Sequence, residues 1–197
     1  MPKSWFIADP HLGYSKVAKE RGFNSTYEHD YRVTRDIVEP IQPNDHLYLI
    51  GDITSRFANE QEYRRFFEDL CIAYNDVHCT AYPRLPFNIH IIMGNHDEFH
   101  ELNQMIKQGF IKSVSACLEF PLYEDFSESI IVTHIPLHPG ELTKEKRWIF
   151  NVHGHLHEYK VNDDRYYCVS YDRVINPVEL GTLSKLALLS AYERQSK

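Results

Sequence analysis

The chain has 197 residues, of which 43% are apolar and 25% charged, an ordinary composition for a globular protein with a sizeable core. We therefore expect residues 1–197 to form a single domain. The net charge is −7 and no basic stripe is visible, which disfavours an extended nucleic acid and an anionic membrane surface as partners. No apolar run could span a bilayer, and the four cysteines show no CxxC spacing, which is typical of a cytoplasmic protein. Nothing in the sequence indicates an oligomeric state.

Strand-like and helix-like segments alternate in the first half of the chain. Short hydrophobic runs predict buried strands over residues 4–9, 45–52 and 87–97. Apolar residues at helical spacing predict three helices, over residues 28–39 (ending at Pro40), 59–74 and about 97–108.

The second half is richer in strands. Four β-rich runs cover residues 113–120, 129–134, 147–154 and 165–172, and a closing helix is predicted over 177–192 although Gly181 weakens it. The short basic segment 143–148 contains Glu145 and is interpreted as a solvated loop. This order of elements predicts an α/β architecture with two packed sheets and helices outside.

Polar residues follow five of the predicted strands, each at the carboxyl end. They are Asp9 and His11, then Asp52, then Asn95, His96 and Asp97, then His134, and finally His155 and His157. In open α/β sheets, ligands bind beyond the carboxyl ends of the strands. Any one of these endings is also explained by a turn, a helix cap or a satisfied histidine, but five such coincidences are a poor explanation of the whole pattern.

The residue types in this pattern indicate a metal site. Oxygen and imidazole donors without cysteine suit divalent first-row metals and argue against a structural zinc site. Seven candidate ligands are more than one ion needs, whereas two ions about 3.5–4 Å apart with one bridging carboxylate would use them all. Asp52 is the expected bridge, because it follows a rigid strand and Gly51 allows close backbone approach.

The pattern resembles the calcineurin-like metallophosphoesterases, and in particular their small bacterial and phage-type members. The family's blocks are D-x-H, G-D, G-N-H-D/E, a lone H and G-H-x-H, in that order. They stand here as Asp9-Pro10-His11, Gly51-Asp52, Gly94-Asn95-His96-Asp97, His134 and Gly154-His155-Leu156-His157. The family fold is a four-layer α/β/β/α sandwich, which here would be two mixed β-sheets flanked by helices.

The resemblance implies a role for each of these residues. One ion would be held by Asp9, His11, Asp52 and His157, and the other by Asp52, Asn95, His134 and His155. His96 would act as the general acid, and Asp97 would either orient His96 or cap the following helix. The cofactor is expected to be two divalent ions, with manganese as the first choice and iron, zinc, nickel or cobalt as alternatives.

His153 belongs to the same histidine-rich stretch but is not counted among the ligands. In a continuous strand, residues 153, 155 and 157 would share one face. We expect Gly154 to break the strand so that His155 and His157 point towards different ions, with His153 in the core or behind the ligands.

The implied reaction is hydrolysis of a phosphomonoester or phosphodiester by a metal-bridging hydroxide, with His96 protonating the leaving group. The substrate would be a small phosphate ester, with nucleotides among the open choices. Arg21 and Phe23 match an Arg-x-Phe found in small members, and Arg56 lies near the position of a family arginine. The second aspartate of that longer motif is replaced here by Thr54 or Ser55.

Two other functions compete with this interpretation. The first is a catalytically weak scaffold or binding module on the same fold, although every motif histidine is present. The second is a DNA or RNA nuclease, for which this short acidic chain leaves little room for an additional nucleic-acid-binding domain.

Overall fold

The first sheet contains five strands among the residues that the structure describes. The structure, a computed structural model, describes residues 1–124, 127–143 and 147–195, so residues 144–146 of the basic segment 143–148 lie outside the described residues. The strands are β1 (Ser4–Ile7), β2 (His46–Ile50), β3 (Asn88–Ile92), β4 (Ser113–Ser115) and β9 (Val178–Glu179). Their order is β4-β3-β2-β1-β9, in which β1 to β4 are parallel and β9 is antiparallel to β1. The carboxyl ends of β1, β2 and β3 therefore meet at one edge of this sheet.

The second sheet, counted over the same described ranges, contains four strands. They are β5 (Cys117–Pro121), β6 (Ser129–Thr133), β7 (Trp148–His153) and β8 (Tyr166–Cys168), in the order β5-β6-β7-β8. The strand β5 is antiparallel to β6, whereas β6, β7 and β8 are parallel. Both sheets are thus mixed, and β6 and β7 also end side by side.

Within the part of the chain that the structure describes, six α-helices flank the sheets. They are α1 (Ser15–Glu20), α2 (Thr26–Val38), α3 (Glu60–His78), α4 (Phe99–Lys107), α5 (Tyr171–Val174) and α6 (Leu180–Gln195). Local sequence explains where α3 starts, because Asn59 and Glu62 form a reciprocal capping box at its first turn. None of the helices in the described ranges has both the length and the apolar character of a membrane span.

The strands of the first sheet contribute side chains to two hydrophobic cores, because successive side chains of a strand point to opposite faces of the sheet. Ile7 packs with residues of α2, α3 and α4 on the helical side, whereas Phe6 packs between the two sheets with Val132 and Val152. The helix α6 adds Leu183 to the core between the sheets. The expected α/β sandwich of two mixed sheets flanked by helices is confirmed.

Three segments have a more complex structure than their sequence patterns indicate. The run 113–120 is not one strand, since it divides into β4 and β5, which belong to different sheets. The run 165–172 ends as a strand at Cys168 and continues into α5, and the segment 177–192 begins as strand β9 before α6. The strand β9 pairs with β1 near the other end of the chain, so that a tertiary contact overrides the local helical pattern at residues 178–179.

Candidate metal centre

The backbone of the predicted ligands has an unusual conformation. Positive φ angles occur at five of the seven, namely Asp9 (57°), His11 (51°), Asp52 (52°), His155 (69°) and His157 (51°). A left-handed conformation costs a non-glycine residue about 1–2 kcal/mol. Such strain persists where the surrounding structure imposes it, and it concentrates at functional sites.

Two glycines let the ends of β2 and β3 approach each other. A Cβ atom on Gly51 would lie 2.6 Å from Nδ1 of His134 and would collide with the backbone of Gly94. A Cβ atom on Gly94 would overlap the backbone nitrogen and carboxylate of Asp52. The glycines of the G-D and G-N-H-D blocks are therefore required by close packing around Asp52.

One candidate ligand set consists of Asp9, His11 and His157. Their ligand atoms lie within 4.8 Å of one another, and the two imidazole rings stack with centroids 5.1 Å apart. The His11 ring is buried, and neither of its nitrogens has a hydrogen-bond partner among the described residues. Burial also lowers the pKa of His11 to about 3, which keeps the ring neutral. A buried, neutral and unpaired imidazole fits a metal ligand.

A second candidate set consists of Asp52, His134 and His155, again with ligand atoms within 4.8 Å. Nδ1 of His134 is 2.8 Å from the carbonyl oxygen of Ile50, so this nitrogen carries the hydrogen and donates it. Nε2 of His134 then faces Oδ1 of Asn95 at 3.0 Å and Oδ1 of Asp52 at 3.4 Å. Without a proton on Nε2, these are three acceptor atoms facing one another, so either that proton or a metal ion must lie between them.

Asp52 lies between the two sets. Its Oδ2 atom is 3.8 Å from Nε2 of His11, and its Oδ1 atom is 3.4 Å from Nε2 of His134. Burial acts to raise the pKa of Asp52, but the hydrogen bond and charge of His134 outweigh burial and lower it. The carboxylate is therefore ionised, with one oxygen directed towards each set.

Asp9 and His134 have protonation states that a metal would change. Burial raises the pKa of Asp9 to about 6. Burial acts to lower the pKa of His134, but Asp52 and Asp9 raise it overall. Protons thus compete with a metal for these ligand atoms.

His96 lies at the mouth of the site. Its Nε2 atom is 3.9 Å from Oδ2 of Asp52, and its ring centroid is 5.2 Å from that of His11. The backbone nitrogen of His96 donates to Oδ1 of Asp52 at 2.9 Å, which fixes the loop. The side chain of His96 is 22% exposed, so the ring can contact a bound substrate.

Asp97 has a different environment from the one expected. Its carboxylate accepts hydrogen bonds from the backbone nitrogens of Asp52 (3.0 Å), Ile53 (3.1 Å) and Gly94 (2.8 Å), and from the hydroxyl of Tyr63 (3.4 Å). These bonds tie the loops after β2 and β3 together. Among the described residues, Asp97 thus forms no hydrogen bond with the His96 ring and does not cap α4, and its contacts position the two loops.

Arg21 is also a positioning residue. Its Nε and Nη2 atoms donate to the two carboxylate oxygens of Asp172 at 2.7 and 2.8 Å, and Nη2 also donates to the carbonyl oxygen of Asp9 at 2.7 Å. Its Nη1 atom contacts the carbonyl oxygen of Pro10 and Nε2 of His29, both at 2.9 Å. These five contacts use all five N–H groups. In this structure Arg21 therefore has no N–H group left to donate to a substrate phosphate.

The other two predicted substrate-binding residues, Phe23 and Arg56, lie in different environments. Phe23 packs its ring edge-to-face on His29, at a centroid distance of 5.3 Å, which is a structural contact. Arg56 is exposed, and its guanidinium lies 4.9 Å above the ring of Phe57. Of the predicted arginines, Arg56 alone therefore presents its guanidinium to solvent.

Two residues near the site escaped prediction. Asp172 accepts a hydrogen bond from Nδ1 of His157 at 2.7 Å, which leaves Nε2 of that ring for a metal. The ring of Tyr14 lies 5.9 Å from that of His11 and 6.1 Å from that of His96. Asp172 stands in a run attributed to a strand, and Tyr14 lies in a loop without a distinguishing motif.

His153 is buried, in agreement with the expectation that it lies in the core or behind the metal ligands. The strand β7 ends at His153, and the ring donates from Nδ1 to the carbonyl oxygen of Gly154 at 2.8 Å. Burial lowers the pKa of His153 to about 4. The break after His153 coincides with Gly154, where a Cβ atom would collide with the side chain of Ala8, at 2.5 Å.

The model of the calcineurin-like phosphoesterase family matches residues 2–180. The chain belongs to the calcineurin-like phosphoesterases. Together with the His/Asp clusters, membership indicates that this phosphoesterase binds divalent metal.

Similar proteins are known from phages. The Gene 66 protein of Mycobacterium phage L5 is 24% identical over 180 residues, covering 80% of this chain and 78% of that protein. The Gene 66 protein of Mycobacterium phage D29 is 25% identical over 174 residues, covering 80% and 79% respectively. Among solved structures, the Aquifex aeolicus protein of unknown function AQ665 has a TM-score of 0.65 at 18% identity, covering 94% of this chain and 100% of that one. This last similarity shows that the phosphoesterase shares its fold with AQ665.

Proposed function

We propose that this phosphoesterase uses two divalent ions to hydrolyse small phosphomonoesters or phosphodiesters. The observation that carries the proposal is the position of Asp52 between two sets of ligand atoms, with one carboxylate oxygen towards His11 and the other towards His134. A pair of ions sharing a carboxylate is the arrangement that many phosphoryl-transfer enzymes use.

The ligands divide between the two ions. Asp9, His11 and His157 would hold the first with Asp52, while Asn95, His134 and His155 would hold the second with the same carboxylate. Bound ions of this kind neutralise phosphoryl oxygens and lower the pKa of water, so that a nucleophile exists near neutral pH. Manganese is our first choice among divalent metals.

His96 supplies the proton in this mechanism. Its Nε2 atom faces the site, and its Nδ1 atom is buried with no hydrogen-bond partner among the described residues. Protonated Nε2 donates to the leaving oxygen as the ester bond to phosphorus breaks. The backbone bond from His96 to Asp52 keeps the ring next to the ligands.

Substrate recognition would involve Arg56 and Tyr14. Arg56 follows Asp52 by four residues and presents its N–H groups to solvent. A guanidinium forms bidentate hydrogen bonds with phosphate. Tyr14 is half-buried beside His11 and His96, and its ring would line the side of the substrate.

The test compares p-nitrophenyl phosphate with bis(p-nitrophenyl) phosphate as substrates of protein reloaded with Mn²⁺. Hydrolysis of either supports the proposal, and the ratio assigns monoesterase or diesterase preference. Absence of hydrolysis with every divalent metal tried would favour the scaffold. Hydrolysis of single-stranded nucleic acid at a higher kcat/KM than either ester would favour the nuclease.

The role of His96 has its own test. The His96→Ala variant should bind metal normally but lose about 10²–10⁴-fold in turnover of phenyl phosphate, whose leaving group needs a proton. Turnover of p-nitrophenyl phosphate should fall much less. His100→Ala, at an exposed position on α4, is the matched control and should behave as wild type. Equal losses on both esters would remove His96 from the role of general acid.

A further inference from the structure

The closing helix α6 has an apolar outer face. Its inner face buries Leu183 and Ala187 in the core between the sheets. On the outer face, Leu188, Leu189 and Tyr192 are 37%, 54% and 69% exposed. These three side chains lie within an arc of about 100° around the helix axis. A helix that carries apolar residues on both faces is usually buried on both. The outer face of α6 therefore has the pattern of a surface that a further element covers.

The other two long helices expose their apolar side chains differently. On α3, the exposed Ile72 lies one turn from Glu68 and one turn from Asp76, so charged residues surround it. On α2, the exposed rings of Tyr27 and Tyr31 stack on each other with centroids 6.5 Å apart. Single exposed apolar residues of this kind are normal on a protein surface, whereas a continuous stripe indicates an interaction site.

Two opposite charges flank the stripe on α6. Lys185 precedes Leu189 by four residues and Glu193 follows it by four, so each lies about 6 Å along the axis from Leu189. Both side chains are exposed, and neither forms an ion pair with any described residue. Within one helix, charged side chains pair three or four residues apart, so Lys185 and Glu193 do not meet in a single chain.

An antiparallel copy of α6 matches this order of charges. A two-fold axis at Leu189 places Lys185 of one copy opposite Glu193 of the other, and the same pair recurs on the far side of the axis. The two Leu189 side chains then face each other at the centre. A two-fold interface needs this self-complementarity, because each of its contacts occurs twice.

We propose that the outer face of α6 is the interface of a homodimer, in which two copies of the helix pack antiparallel about Leu189. Leu188 and Tyr192 extend the apolar contact, and two pairs of Lys185 with Glu193 set the register. These five side chains are fewer than the roughly 20–30 residues per partner of a standard interface, so we expect a weak dimer. None of them belongs to the metal centre, and the inference does not depend on the proposed phosphoesterase activity.

The experiment is sedimentation equilibrium of the full chain over a concentration range of about 10–500 µM, where a weak dimer is partly formed. The mass of the wild type should rise from that of one chain, 23.3 kDa, towards that of two. Leu189→Glu should remain monomeric, because it places two carboxylates opposite each other at the axis. Ile72→Glu makes the same kind of change at an exposed position of α3 and should dimerise as the wild type does.

Charge reversal tests the antiparallel register. Lys185→Glu and Glu193→Lys each oppose like charges, and each should weaken the dimer at least tenfold. The double variant Lys185→Glu/Glu193→Lys restores opposite charges in both pairs and should dimerise within about threefold of the wild type. Since the two positions do not meet within one chain, this rescue can arise only between two copies.

Four results would overturn the proposal. A wild type that keeps the mass of one chain at the highest concentration would exclude the dimer. Undiminished dimerisation of Leu189→Glu would place the interface elsewhere. A double variant as weak as the single variants would exclude the antiparallel pairing. Flotation of the wild type with phosphatidylcholine vesicles, lost in Leu189→Glu and without dimerisation, would assign the face to a membrane.

Discussion

Replacing Asp97 with asparagine separates a positioning role from a catalytic one. The carboxylate accepts bonds from three backbone N–H groups and from the hydroxyl of Tyr63. In the lowest-energy orientation of the asparagine side chain, the new amide nitrogen donates to the hydroxyl of Tyr63. The backbone N–H of Ile53 is then left without an acceptor. An unsatisfied buried donor costs about 1–3 kcal/mol, and the remaining bonds to Asp52 and Gly94 lose their charge assistance. We expect a total loss of about 2–4 kcal/mol in the free energy of unfolding.

The assay is urea unfolding of the metal-free protein, with Asp76→Asn as the control. Asp76 is exposed on α3, so its variant should stay within about 0.5 kcal/mol of wild type. The Asp97→Asn variant should also bind metal more weakly, since Asp97 holds the backbone of Asp52. A variant of full stability and full metal affinity with reduced kcat would refute this reasoning and return Asp97 to the role of orienting His96.

Three other changes test the surroundings of the site. Arg21→Lys keeps the charge but loses the paired bonds that hold the partner of His157, and we expect about 10–100-fold weaker metal binding in a chelator competition. Gly94→Ala should cost about 1–3 kcal/mol in urea unfolding, because its methyl group would overlap Asp52. Burial lowers the pKa of His153 from 6.5 to about 4. Below pH 6.5 the unfolded state therefore binds more protons than the folded state, and the free energy of unfolding decreases as the pH is lowered. That loss reaches about 3 kcal/mol near pH 4, and His153→Gln should show a correspondingly flatter pH profile.

Much of the site could be predicted because its residues occupy one repeated topological place. Each predicted ligand follows a short hydrophobic strand, and a strand that ends in Asp or His is visible locally in the sequence. The convergence of His11 on Asp52 then follows from the parallel pairing of β1 with β2, whereas His155 reaches Asp52 from the second sheet, whose packing is not visible in the sequence.

Residues that hold the predicted ligands in place by hydrogen bonds could not be predicted in this way. Asp172 contacts His157 and Arg21 only because β8 and α5 place it there, 15 and 151 residues away along the chain. Arg21 has the sequence context of a substrate residue, yet its guanidinium is satisfied by acceptors whose positions depend on the folded loops. The sequence does not show whether the N–H groups of an arginine already have acceptors in the folded protein. Only the structure therefore distinguishes Arg21, whose N–H groups are all used, from the exposed Arg56.

The division of residues 113–120 between two sheets has a similar cause. Both halves have strand propensity, but nothing local shows that β4 pairs with β3 whereas β5 pairs with β6. The short helix α1 also lacks a side-chain cap at Tyr14, which removes the usual start signal.

The most direct test of a shared two-metal centre is the metal stoichiometry of the reloaded protein, measured by inductively coupled plasma mass spectrometry after removal of free metal. We predict two divalent ions per chain for the wild type and for Asp76→Asn. Asp52→Asn should retain fewer than one, because a single carboxylate serves both ligand sets. One ion per chain in the wild type, or two in Asp52→Asn, would contradict the shared centre.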